Sequence, residues 1–184
     1  VPSSIHDEFV ERMNTALAAV RTGSGLDRSN ELGALVSVAE RDKVADLVDA
    51  ASAEGAVLVR GGTASEKGAF YDATLLTGVR HGSAINATEI FGPVTAIVKY
   101  DDVDDAVRMA NDTIFGLMAY VFGEEREAVA VGRRLESGMI ANNRGVVSDP
   151  AAPFGGAKQS GLGREGAHEG LMEFLETQYV SANW

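Results

Sequence analysis

The stretch from residue 94 to residue 141 constrains the fold most, because its hydrophobic period switches repeatedly between two and three-to-four. Residues 94–100 read as a strand, 102–111 as a helix with acids in its first turn, 118–122 as a strand, 124–136 as a helix and 138–141 as a strand. Strand, helix, strand, helix, strand at these lengths describes right-handed crossovers in a largely parallel sheet. The predicted class is α/β: an open, mostly parallel sheet with flanking helices.

Upstream, Phe9, Val10, Met13, Ala16, Leu17 and Val20 recur three and four apart, an apolar stripe on a helix that Ser3 or Ser4 is placed to cap. Ser37 to Glu40 has the spacing of a capping box, and Val44, Leu47, Val48 and Ala51 continue that second helix. The short apolar runs 56–59 and 73–76 read as strands. Residues 142–166 are rich in glycine and proline and aperiodic, which inside a folded domain points to a functional loop. A last helix is expected around 168–175, and Gln178, Tyr179 and Val180 read as a strand. No internal repeat or composition break divides the 184 residues, a length that suits one domain.

Charge and composition remove several functions. With 16 Lys plus Arg against 27 Asp plus Glu, the net charge of −11 repels phosphate backbones and anionic lipid heads. No run approaches the roughly 18 apolar residues of a membrane span, and the start, Val1-Pro2-Ser3-Ser4, has no secretory pattern, so the expected location is cytoplasmic with neither nucleic acid nor membrane as partner. There is no cysteine, which excludes disulfides, a thiolate zinc site and a cysteine nucleophile within these residues. His6, His81 and His168 are single and far apart, and the acids 101–105 lack the spacing of a calcium loop, so no metal is expected.

Gly161-Leu162-Gly163-Arg164-Glu165-Gly166 matches the dinucleotide-binding glycine pattern, but Lys158, Gln159 and Ser160 precede it instead of an apolar strand. A turn-rich lead into a helix is the better reading. Glu89-Ile90-Phe91-Gly92-Pro93-Val94 sets a carboxylate ahead of an aromatic, a turn and a strand. Glu89 can accept hydrogen bonds from sugar hydroxyls or simply be a solvated loop acid beside a core Phe, and spacing does not separate the two. Phe154, in Pro153-Phe154-Gly155-Gly156, can likewise face a pocket or pin a loop to the core.

Taken in order, these motifs resemble the aldehyde dehydrogenase superfamily: Glu89 to Val94, then Ala110-Asn111-Asp112-Thr113 with Gly116-Leu117, then Gly138-Met139-Ile140 with Asn142, then Pro153 to Gly156 with Lys158, Ser160-Gly161 and Gly163-Arg164-Glu165. The likeness runs from about Ile5 to Val180. It departs at Gly33-Ala34-Leu35, where the family usually has Gly-Pro-Leu. Enzymes of that family attack the aldehyde with a cysteine thiolate, pass hydride to NAD(P)+ and hydrolyse the thioester with a glutamate-activated water.

The resemblance implies that the cysteine, the general-base glutamate and the cofactor-binding Rossmann domain all lie upstream of the segment similar to these residues. Residues 1–184 are thus expected to be part of a catalytic domain, with an oligomerisation strand near 177–184 and no catalytic residue of their own. NAD or NADP is the expected cofactor of the parent enzyme, with no tight binding to this chain alone. Glu89 resembles the acid that binds the nicotinamide-side ribose, and Phe91 the ring beside the cofactor. Phe154 resembles an aromatic wall of the aldehyde pocket. Ser148 resembles the serine that succinate-semialdehyde dehydrogenases use for the far carboxylate of their substrate, and residues 147–166 are similar to that subfamily throughout. The expected partners are a small aldehyde, an N-terminal half and further copies in a homo-oligomer. The alternative is a non-catalytic remnant acting as an interaction module.

Overall fold

A computed structural model describes residues 1–183, which divide into two compact units meeting in sequence at Asp102 and Val103. The boundary falls in the strand-to-helix turn that the acids 101–105 occupy, so no shift in composition marks it. The class is α/β, and the strands of the described residues form three small sheets.

The first unit holds α1 (His6–Ala18), α2 (Val38–Ala53), β1 (Val57–Arg60), β2 (Thr74–Thr77), the short α3 (Ala84–Ala87) and β3 (Val94–Ala96). β2 is central, antiparallel to β1 and parallel to β3. One face of α2 presents Val44, Val48 and Ala51 to Tyr71, Leu76, Val79 and Ile85, and together these form the buried core. The expected cap on α2 is half formed. Ser37 Oγ accepts from Glu40 N at 3.1 Å, but the Glu40 carboxylate turns to Lys43 Nζ at 2.5 Å instead of reaching back.

At α1 the expected serine cap is replaced. Ser3–Ile5 make a 3-10 turn, Ile5 caps the helix without a side-chain bond, and Ser3 Oγ donates to Tyr100 O at 3.1 Å. That serine is occupied because residues 1–3 run as a parallel rung beside Tyr100. Val1 N donates to Val98 O at 2.8 Å, Tyr100 N to Val1 O at 3.1 Å and Ser3 N to Tyr100 O at 2.8 Å. His6 is no isolated surface histidine: its ring bonds Thr77 Oγ1 and Asp7 Oδ1, each at 2.7 Å, joining α1 to β2.

The second unit begins with α4 (Val103–Asn111), β4 (Phe115–Gly116), β5 (Met118–Val121), α5 (Glu125–Gly132) and β6 (Met139–Asn142), and continues with β7 (Ala157–Lys158) and α6 (Ala167–Met172). β5 and β6 are parallel with α5 between them in sequence, which is the crossover the sequence pattern predicts. α5 is shorter than expected, and Glu124 caps it by accepting from Arg126 N and Glu127 N. The glycine-rich loop is tied back by an antiparallel pair, β4 with β7, and by Lys158, whose ammonium donates to Asn111 O and Thr113 O and meets Glu136. Residues 175–183 carry no regular element, so the strand expected at 178–180 is not formed here; Trp184 lies outside the described residues. Among the described residues no helix is long and apolar enough to cross a membrane.

Candidate active-site residues

Glu89 and Phe91 share one loop of the first unit, and its packing explains how they are presented. Ile90 packs against the core, and a side chain on Gly92 would sit 2.6 Å from Val44 Cγ2, so only a glycine lets the loop lie against α2 there. Pro93 O then accepts from Thr74 N at 2.8 Å as the chain enters β3. Phe91, held between two anchored residues at φ 50°, is turned outward with 71 % of its surface exposed. A positive φ at an aromatic residue is strained backbone that the surroundings must hold in place.

Glu89 and Phe91 line one open hollow of 660 Å³ together with Val36, Glu40, Lys43 and Thr88. Lys43 Nζ lies 5.9 Å from the Phe91 ring centroid, within cation–π range, while Glu40 holds the ammonium. The Glu89 carboxylate is exposed and makes no hydrogen bond or ion pair among the described residues. Sequence reading finds Glu89 and Phe91 but not Lys43 or Glu40, which belong to α2 and reach this place only through the packing of Val44 on Gly92. The residues suit a nucleoside cofactor. An unpartnered carboxylate can accept from vicinal ribose hydroxyls, and an exposed ring face can carry a flat heteroaromatic.

In the second unit Phe154 is half-buried. Its N donates to Glu165 O at 2.8 Å and its O accepts from Glu165 N at 2.7 Å, which holds its backbone beside a hollow of 450 Å³ that it helps to line. Leu117, Ser160, Arg164, Glu173 and Phe174 line the same hollow. Arg164 holds the loop, donating from Nη1 to Gly156 O and Gly163 O at 2.8 and 2.6 Å. The glycine pattern 161–166 proves to be a turn-rich lead into a helix, with Gly161, Gly163 and Gly166 at positive φ and Gly166 capping the six-residue α6.

Ser148 is exposed on the loop 143–149 and is not among the residues lining that hollow. The structure therefore brings Glu89 and Phe91 to one place but does not bring Ser148 and Phe154 to one hollow. Both ends of the Ser148 loop are pinned. Asn143 N donates to Val121 O at 2.8 Å, and its side-chain amide pairs with the Gly123 backbone, accepting at 2.9 Å and donating at 3.0 Å. Asp149 accepts from Ala151 N and Ala152 N, and Pro150 O from Ala167 N. No three His, Asp or Glu among the described residues converge on a possible metal position.

The sequence model of the aldehyde dehydrogenase family matches residues 1–180. The chain belongs to the aldehyde dehydrogenase family. It is 41 % identical over 182 residues to the succinate-semialdehyde dehydrogenase of Paenarthrobacter nicotinovorans, covering 98 % of this chain and 40 % of the relative. It is 43 % identical over 181 residues to a non-phosphorylating aspartate-semialdehyde dehydrogenase of Halomonas elongata, covering 97 % and 37 %. Among solved structures, the betaine aldehyde dehydrogenase of Staphylococcus aureus in complex with NAD+ superposes with a TM-score of 0.88 at 33 % identity, covering 95 % of this chain and 36 % of that one. This aldehyde dehydrogenase chain thus spans between 37 and 40 % of the length of the two curated relatives.

Proposed function

We propose that these residues form the C-terminal part of the catalytic domain of an NAD(P)+-dependent aldehyde dehydrogenase that oxidises a small aldehyde carrying a carboxylate at its far end, with succinate semialdehyde the first candidate. The observation that carries this reading is the outward-turned pair Glu89 and Phe91, with Lys43 beside them, on a chain of this family. Glu89 would accept from the ribose hydroxyls and Phe91 would flank the cofactor, which when bound supplies the hydride acceptor. Holding the ribose fixes the orientation of what it carries, and orientation is where such residues contribute to rate. Phe154 would wall the aldehyde pocket and Ser148 would donate its hydroxyl to the far carboxylate. A hydroxyl suits an anion better than the aromatic face of the relatives that take apolar aldehydes.

The two relatives support the substrate class, since succinate semialdehyde and aspartate semialdehyde both carry a carboxylate away from the aldehyde carbon. The attacking thiolate must come from residues outside these 184, which include no cysteine. The purified chain mixed with succinate semialdehyde and NAD+ or NADP+ is therefore expected to produce no NAD(P)H absorbance, whereas the enzyme that carries this segment produces it. Turnover by the chain alone that survives stringent repurification, or an enzyme carrying the segment that oxidises no small aldehyde with either nucleotide, would overturn the proposal.

A further inference from the structure

The segment that leads into α2 walls the space around Phe91. Val36, 91 % exposed, lines the hollow that holds Glu89 and Phe91, and residues 32–35 line a second hollow of 370 Å³ that Phe91, Gly92 and Pro93 also border. Phe91 touches both hollows, and the run 32–36 supplies a wall to each. Residues 33–36 belong to no helix or strand, so contacts from elsewhere must hold them. The Leu35 side chain packs on the core, and its backbone N donates to Ala69 O at 2.8 Å. Ala69 belongs to a tight turn whose arms pair through Ser65 N to Phe70 O at 3.0 Å and Asp72 N to Thr63 O at 3.1 Å. Tyr71 roots one arm in the core, whereas Glu66, Lys67 and Gly68 at the tip are exposed.

Arg41 is the part of α2 that grips this tip. Its Nη1 donates to Ser65 O and to Gly68 O, both at 2.7 Å, so one nitrogen ties the two ends of the tip together. Nε and Nη2 donate to Asp42 Oδ1 at 2.9 and 2.6 Å, which fixes the plane of the guanidinium. The side chain is 14 % exposed. Charge-assisted bonds from a planar, rigid donor set are stronger and more directional than neutral ones. Glu40 and Lys43, on either side of Arg41 in sequence, line the hollow itself. A single turn of α2 therefore contributes to the hollow and grips the loop that steadies its wall.

We infer that Arg41 is a positioning residue for the nicotinamide cofactor: by holding the turn 65–69 it fixes Ala69 O under Leu35 N, and with it the wall that Val36 places beside Phe91. This rests on the cofactor reading of Glu89 and Phe91 given above. Arg41 does not line the hollow and takes no part in the chemical step. Its effect is on affinity, because an irregular segment that must be ordered when a ligand arrives subtracts the entropy of ordering from binding.

The enzyme that carries this segment provides the test, with R41M and R41K beside wild type. The dissociation constant for NAD+ or NADP+, whichever the enzyme uses, is expected to rise about tenfold in R41M, the scale of one charge-assisted hydrogen bond, and less in R41K, whose ammonium keeps a donor for the carbonyls. At saturating cofactor, kcat and KM for the aldehyde should stay within about twofold of wild type. Hydrogen exchange followed by mass spectrometry should quicken in R41M both at 64–70 and at 33–36. A merely structural role lowers the active fraction, and with it kcat, and leaves the cofactor dissociation constant of the surviving enzyme unchanged; that result overturns the inference. Faster exchange at 64–70 with none at 33–36 overturns it too, since the wall then stands without the turn. Should R41M yield no folded enzyme, R41K decides, and a dissociation constant equal to wild type counts against Arg41. Phe91→Ala separates this inference from the reading beneath it. Unchanged cofactor affinity in Phe91→Ala defeats the cofactor site itself, whereas weakened binding there with none in R41M defeats Arg41 alone.

Discussion

Glu89 and Phe91 owe their exposure to their neighbours. Ile90 inside and Gly92 flat against Val44 leave the residues between and before them nowhere to go but outward. Replacing Glu89 with Gln in the enzyme that carries this segment is expected to cost about 1.5 kcal/mol, the low end for a charge-assisted hydrogen bond because the carboxylate stays solvated. Single-turnover hydride transfer should slow about tenfold with little change in KM for the aldehyde; an unchanged single-turnover rate would return Glu89 to the role of a solvated loop acid. Tyr71 shows the opposite situation. It is 1 % exposed and its hydroxyl makes no hydrogen bond of normal geometry among the described residues, while the nearby Thr74 Oγ1 donates to Asp72 O and accepts from Gly62 N. Burial, helped by the charge of Asp49, pushes its phenol from the ordinary 10.0 up to about 12. Between those values the unfolded chain gives up a proton that the folded chain keeps, so stability is full below pH 10 and falls as pH rises toward 12. Tyr71→Phe should remove that part of the decline and leave neutral-pH stability equal or up to about 1 kcal/mol higher, because it deletes an unsatisfied buried hydroxyl. Parallel denaturant titrations of both proteins across this range give the answer. Identical pH profiles would mean the phenol is hydrated after all.

At the level of elements, long periodic segments are legible because each repeats its signal over several turns. α2 is the clearest: its cap, apolar face and length all follow from residues 37 to 53. Ser37→Ala should cost about 1 kcal/mol in chemical denaturation, the usual value of a lost N-cap. Glu40→Gln should change stability by no more than about 0.5 kcal/mol, since its carboxylate forms only a surface pair with Lys43. Equal losses from the two would mean that the full capping box forms in solution. β4 and β7 were illegible for a physical reason. Each has two residues, too few for a period of two to show, and their pairing joins positions more than forty apart through Lys158 and Ser160. The candidate site divides in the same way. Glu89, Phe91 and Phe154 announce themselves by local motif, whereas Lys43 becomes visible only when α2 packs.

Over the whole molecule, apolar surface remains uncovered toward the C-terminus: Leu171, Phe174, Leu175, Tyr179 and Val180 are all exposed, Tyr179 by 88 %. Uncovered apolar residues of this size favour association, and a segment without a strand of its own can gain one by pairing with another chain. The chain is expected to sediment at micromolar concentration with a mass well above 19.3 kDa. Tyr179→Pro, which removes one ladder donor, should lower that mass. A monomer at every concentration would show that residues 177–184 pair with nothing.

The rung between residues 1–3 and Tyr100 also sets a timetable. Val1 and its acceptor Val98 are 97 positions apart. A ribosome adding about 5–20 residues per second delivers the second roughly 5–20 s after the first. For that interval the opening residues of the first unit wait without their partner while α1 and α2, whose bonds are local, are free to form. Helices first and sheet edge last is the order of events that such a closure imposes. Until Tyr100 emerges, residues 1–3 remain an unpaired strand.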